Sequence, residues 1–115
     1  MSKRRDDNLL LEDILECIGN IYKYTVGMTY AQFIENQLVL DAVVRNLEII
    51  GEASGKLSQT SQEAMAGIPW QKIKGLRNRV IHAYFDVSKQ VIWFVIQNEL
   101  TILQQVISGY LEQQG

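Results

Sequence analysis

Apolar residues recur three or four positions apart through almost the whole chain, and a single proline interrupts it. That spacing is the period of an α-helix, in which residues i, i+3, i+4 and i+7 share one face. Leu10, Ile14, Cys17, Ile18 and Ile21 follow it, so a helix is expected from about Asp7 to Thr25, with Gly27 ending it and the charged residues 1–6 frayed. Thr29 opens a second helix, and Gln32 three residues on suits a capping box. The stripe Phe33, Leu40, Val43, Val44, Leu47 and Ile50 carries that helix from Tyr30 to about Lys56. Within it Asp41 stands four residues before Arg45, a favourable charge spacing. Thr60 and Glu63 form a second possible box, for a short helix that stops at Gly67. Pro69 fits the first turn of the next helix, where its missing N–H costs nothing. Asp86 or Ser88 caps a last helix from about Lys89 to Leu111, with Ile92, Val95, Ile96, Leu103, Val106 and Tyr110 at its apolar positions. The run from Val91 to Ile96 alone could pass for a buried strand, but helical periodicity continues beyond it with no turn signal.

Four main helices with short connections and no convincing strand predict an all-α fold, an antiparallel four-helix bundle with an extra short helix. A chain of 115 residues argues for one domain, 1–115. The last helix is apolar all round near its start, which implies burial on two sides, one of them against a second subunit. The net charge is −2, which is not the footprint of a general nucleic-acid coat. No apolar run approaches the roughly 20 residues of a membrane span. The start, Met1 to Asp7, has positive charges with no apolar stretch behind them, unlike a signal peptide. A soluble, cytoplasmic protein with no membrane contact is therefore expected. Cys17 is the only cysteine, so it cannot form an intrachain disulfide and reads as a small buried hydrophobe. One histidine and one cysteine make no metal constellation, and no metal or cofactor is expected.

The segment from Pro69 to Phe85 differs from the rest. It carries Lys72, Lys74, Arg77 and Arg79 with no acidic residue, and it holds the only histidine, His82, and a tyrosine two residues later, Tyr84. Concentrated cations beside an imidazole and a phenol suit a phosphate-bearing partner. Lys72, Lys74 and Arg79 are candidate RNA contacts. A histidine can take or give a proton near neutral pH, and an arginine fork can hold a phosphate and steady charge growing on it. Asn78, one turn from His82, can fix the imidazole tautomer. Together these suit metal-free RNA cleavage, in which a 2′-hydroxyl attacks the adjacent phosphorus, His82 acts as base or acid, and Arg77 steadies the phosphate. The bland alternative stays open at this level: a histidine between Ile81 and Ala83 also suits a packed structural residue, and a cationic face a merely solvated one.

Spacing adds a constraint. On a continuous helix Asn78 and His82 share a face, as do Arg77 and Tyr84, but Arg77 and His82 lie roughly 140° apart. Either the helix unwinds near His82, or Arg77 curls round, or a second copy completes the site. Two features of the second helix constrain its packing. Gly51 costs a helix roughly 1 kcal/mol relative to Ala, which points to close approach of another backbone or a ligand. Glu48 and Glu52 stack on one face and need a cation, either Arg45 or, more sharply, Arg77 or His82 packed beside Gly51. Gly51 to Ser58 falls short of a phosphate-binding loop in spacing and lacks a preceding strand.

The pattern Arg77-Asn78-x-x-x-His82-x-Tyr84 resembles the R-x-x-x-x-H-x-Y motif of HEPN-domain proteins, specifically HepT-like toxins. Asp41 to Ala53 resembles that family's second-helix signature, and Ile68-Pro69-Trp70 with Gly75-Leu76-Arg77-Asn78 resembles its approach to the motif. The resemblance covers nearly the whole chain in order. It implies an all-helical HEPN bundle, usually dimeric, with metal-independent ribonuclease activity and with Arg77 and His82 at a composite site across the dimer. It also implies a type VII-like toxin–antitoxin pair, in which an MntA-like nucleotidyltransferase uses ATP to place AMP on Tyr84 and silence the toxin. The rival expectation is a non-catalytic HEPN module that docks to a nucleotidyltransferase and binds nucleotide or RNA without cutting it.

Overall fold

The first helix, α1 (Lys3–Thr25), begins four residues before the expected start. Asp6 lies in its first turn, where a carboxylate favours the positive end of the helix dipole. Gly27 follows the helix with φ 74°, a left-handed conformation that glycine adopts without steric cost. This computed structural model describes residues 3–85 and 89–114, so Asp86 and Ser88, the expected caps of the last helix, lie outside the described residues.

The long second helix of the sequence reading is two helices, α2 (Tyr30–Glu35) and α3 (Gln37–Lys56). Thr29 and Gln32 form the expected capping box, with Gln32 N donating to Thr29 Oγ1 and Thr29 N to Gln32 Oε1. Asn36 makes the break. Its backbone is extended, its N–H closes α2 on Phe33 O, and its side chain accepts from Val39 N to start α3. One asparagine thus satisfies orphan groups of two helix ends. A short α4 (Gln59–Ala64) follows, capped by Ser58 rather than Thr60. The reason lies in α1: the buried Asp7 carboxylate accepts from Ser58 N, Ser58 Oγ and Ser61 Oγ. That network fixes Ser58 at the cap.

The expected basic helix is also divided, into α5 (Trp70–Lys74) and α6 (Leu76–Phe85), with Gly75 between. Pro69 stands just before α5 and its carbonyl accepts from Lys72 N and Ile73 N. Trp70 is buried, and its indole N–H is shared between the carbonyls of Gln62 and Met65. This anchors α5 to the end of α4 and makes Trp70 a core residue. The last helix runs as α7 (Lys89–Phe94), a π turn (Val95–Glu99) and α8 (Leu100–Gln114). Trp93 packs its ring against Tyr30 and Phe33.

Helix α3 is the centre of the bundle, packed by α1 on one side and by α5 and α6 on another, while α8 returns against α1. All six positions expected in its stripe with Phe33 are buried. Leu11 joins the α1 core, and Leu100 and Ile107 join that of α8, whereas Val106 and Tyr110 are only partly buried against it. Among the described residues every regular element is helical, and none is long and apolar enough to cross a membrane. The all-α bundle expected from periodicity is the observed architecture, with its long helices broken at Asn36 and Gly75. Phe94 and Ile102 remain 53% and 52% exposed, so one apolar face of the last helix is uncovered in the single chain.

Candidate functional site

The site is set by how closely α6 approaches α3. A Cβ built on Gly51 would lie 3.2 Å from Arg77 N, 3.5 Å from Ile73 O and 3.5 Å from Leu76 Cβ. The missing side chain is therefore what lets the start of α6 rest on α3, and backbone approach accounts for a mid-helix glycine. With that contact fixed, α6 runs antiparallel to α3 and their facing residues pair in sequence. Arg77 Nε lies 3.9 Å from both Glu48 Oε2 and Glu52 Oε1. Val44, Glu48, Ile81 and Tyr84 then line a hollow of about 220 Å³. At the far end Tyr84 meets Asp41 and Gln37.

The acidic pair on α3 thus takes Arg77 as its cation, the sharper of the two partners weighed from sequence. The separations are loose and Arg77 stays more than half exposed, so its fork is open to another anion. Arg77 and Tyr84 share the face turned to α3, as their spacing implied. His82 is solvent-exposed on α6, and Asn78, one turn before it, is also exposed. The helix is continuous from Leu76 to Phe85, so the unwinding near His82, one of the three expectations, does not occur.

Tyr84 is held by a closed triangle of hydrogen bonds. Its hydroxyl donates to Asp41 Oδ1 at 2.7 Å, while Gln37 Nε2 donates to the phenol oxygen at 2.6 Å and to Asp41 Oδ1 at 2.8 Å. The Tyr84 bond, with Gln37 behind it, holds the Asp41 carboxyl below the usual aspartate value. The same bond, then desolvation and the Asp41 charge, push the phenol up. Asp41 therefore serves Tyr84, 43 residues away, and not the expected helical neighbour Arg45. Sequence reasoning missed both Asp41 and Gln37 as site residues. Their spacing of four on one helix face was the available signal, but nothing local points it at Tyr84.

The other cations are placed differently. Arg79 makes a two-pronged contact with Glu99, Nη1 to Oε1 at 2.9 Å and Nη2 to Oε2 at 3.0 Å, and Lys72 Nζ lies 3.4 Å from Glu99 Oε2. Glu99 is the last residue of the π turn and its side chain is 12% exposed. Burial pushes its carboxyl up, but the Arg79 bonds and charge, helped by Lys72, outweigh that and hold it below the ordinary glutamate value. Lys74 is half-buried on α5. The structure thus gathers Arg77 and Tyr84 along α3, sets His82 and Asn78 at exposed positions of α6, and commits Arg79 to the last helix.

A stability prediction follows from Glu99. Replacing it with alanine leaves a partly buried guanidinium without its carboxylate and should cost about 2 kcal/mol, below the range for fully buried pairs because Arg79 keeps some solvent. Because the Glu99 carboxyl is depressed in the folded chain, its contribution is complete above the unfolded value of about 4.3 and is lost as pH falls through the lower folded value. Urea unfolding should show the full gap between wild type and Glu99→Gln near pH 6 and a shrinking gap below about pH 4. A gap that stays constant to pH 3 would contradict it.

The described residues form an all-helical bundle with Arg77 and His82 five residues apart on the exposed side of α6. Residues 14–109 match the family described as "Ribonuclease HepT-like", and the chain belongs to that family. "Putative RNase MJ1380" of Methanocaldococcus jannaschii is 36% identical over 107 residues, covering 93% of this chain and 97% of that protein. "Putative RNase TTE0752" of Caldanaerobacter subterraneus is 33% identical over 104 residues, covering 90% and 93%. "Probable ribonuclease HepT" of Thermococcus cleftensis is 34% identical over 101 residues, covering 88% and 92%. No solved structure matches the chain.

Proposed function

We propose that this chain is an endoribonuclease that cleaves RNA without a metal ion, acting as the toxin of a toxin–antitoxin pair. The observation that carries the reading is α6 itself: a continuous helix presenting solvent-accessible Arg77 and His82 in a chain of the ribonuclease HepT-like family. The guanidinium fork binds a non-bridging pair of phosphate oxygens and offsets the charge that grows there as the phosphorus becomes five-coordinate. His82 moves the proton, from the attacking 2′-hydroxyl or to the leaving 5′-oxygen. Asn78 orients the imidazole. Lys72 and Lys74 extend the positive surface along the RNA backbone. Arg79, whose charge Glu99 largely takes up, contributes mainly by holding α6 in place.

Because Arg77 and His82 point about 140° apart on an unbroken helix, the two act together across a homodimer, the guanidinium of one copy facing the imidazole of the other. The uncovered apolar face around Phe94 and Ile102 agrees with a second copy. The partner that silences the toxin is an MntA-like nucleotidyltransferase, which transfers AMP from ATP to Tyr84. The Tyr84 hydroxyl shares a helix face with Arg77, so an added AMP places negative charge where the substrate phosphate must bind.

The test uses the full chain and a short defined RNA in excess EDTA. Cleavage to 2′,3′-cyclic phosphate and 5′-hydroxyl ends is expected, since the 2′-oxygen displaces the 5′-oxygen with no water in the step. Cleavage only after magnesium is restored, with 3′-hydroxyl products, contradicts the mechanism. RNA bound and never cut points to the non-catalytic module instead.

A further inference from the structure

We propose that Asp41 is the proton acceptor for modification of Tyr84, so that the toxin carries its own base for the reaction that silences it. This rests on the reading of Tyr84 as the AMP acceptor, and it goes beyond that reading by assigning a role to two residues of α3. The observations are the bond from the Tyr84 hydroxyl to Asp41 Oδ1 at 2.7 Å and the Gln37 amide bridging the phenol and carboxylate oxygens at 2.6 and 2.8 Å. Three side chains from two helices meet in one triangle of hydrogen bonds, and Asp41 is exposed, so a proton it receives passes on to water.

The chemistry balances without a further reactant beyond the nucleoside triphosphate. The phenol oxygen attacks the α-phosphorus of ATP, the new O–P bond forms, and the bond from that phosphorus to the bridging oxygen of the β-phosphate breaks. Pyrophosphate leaves with the electron pair, and the phenolic proton moves to Asp41. A neutral phenol is a poor nucleophile, but its proton becomes far more acidic as the oxygen bonds to phosphorus. An aspartate already hydrogen-bonded to it receives that proton with no rearrangement. Gln37 donates to both the phenol oxygen and Asp41 Oδ1 and thereby holds the hydroxyl beside the carboxylate.

The experiment follows the intact mass of the full chain over time with an MntA-like nucleotidyltransferase and ATP, for wild type, Asp41→Asn, Asp41→Glu and Tyr84→Phe, from pH 6 to 9. Thermal unfolding of each variant checks the fold. Asparagine still accepts the phenol hydrogen bond but takes no proton, so the rate of AMP gain should fall by about 100-fold. What remains should rise with pH as free phenolate becomes available, while wild type stays nearly flat. Asp41→Glu should recover part of the rate and the flat profile. A structural role for Asp41 alone would lower the rate without changing its pH dependence. Equal rates and equal pH profiles for wild type and Asp41→Asn, with Tyr84→Phe unmodified, overturn the role of Asp41 and leave Tyr84 as acceptor. No AMP gain in wild type, or gain undiminished in Tyr84→Phe, overturns the acceptor assignment and the role of Asp41 with it.

Discussion

Changing His82 to alanine is expected to slow RNA cleavage by about 10²–10⁴-fold, the span that positioned acid–base groups supply. The loss should appear in single-turnover cleavage at saturating RNA, with little change in binding, because the proposed mechanism uses the imidazole for proton movement. Its exposure on α6 means that the substitution leaves the core intact, so circular dichroism should match wild type and the chain should stay folded at the assay temperature. Arg77→Ala should lose about 10²–10³-fold, with part of the loss in binding, since in the proposed mechanism the fork holds the phosphate before and during the step. Arg77→Lys should restore little, because a point charge does not reproduce two parallel hydrogen bonds. Full activity in a folded His82→Ala protein would remove the imidazole from the mechanism. In cells the same contrast is growth inhibition by wild type and none by either variant.

Gly51→Leu is expected to have the second large effect, and on two quantities at once. A Cβ alone would sit 3.2 Å from the backbone nitrogen of Arg77, and backbone cannot swing aside as a side-chain end can. Alanine should come out near neutral, because the roughly 1 kcal/mol gained in helix propensity offsets the tight contact. Leucine adds three further carbons against Ile73 and Leu76 and should cost about 2–3 kcal/mol by overpacking. It should also move the start of α6 and lower cleavage more than the stability loss explains, since a shift near 1 Å in a reacting group can cost about 100-fold. Urea unfolding with single-turnover cleavage on the remaining folded protein separates the two. A stable Gly51→Leu protein with wild-type cleavage would mean that the α3–α6 contact does not position Arg77.

Much of this was legible in the sequence because helical periodicity reports one face of one element at a time. The α3 stripe from Leu40 to Ile50 was readable for that reason, as was the capping box at Thr29, which is set by residues three apart. Gly51 and the pair Glu48 and Glu52 were readable as unsatisfied demands, for close contact and for a cation, and α6 meets both. The break at Asn36 was not readable from the stripe, because apolar spacing runs through it; the bend is set by one side chain capping Val39. Thr60 matched a capping pattern better than Ser58, yet the buried Asp7, half the chain away, decided between them. The Asp41–Tyr84 bond and the Arg79–Glu99 clamp were out of reach for the same reason. Each joins helices whose relative placement no local pattern encodes, and Glu99 also sits in a π turn that shifts the register of the last helix.

The most direct measurement of whether Arg77 and His82 grip one phosphodiester across two copies is complementation between inactive chains. Arg77→Ala and His82→Ala proteins are each prepared alone, shown to be inactive, then unfolded together and refolded so that chains exchange, with native mass spectrometry confirming mixed dimers. In a mixed dimer one of the two sites receives both intact residues. With random pairing about a quarter of wild-type cleavage should return. Mixed dimers confirmed by mass that remain as inactive as either parent would contradict a shared site and place both groups within a single chain.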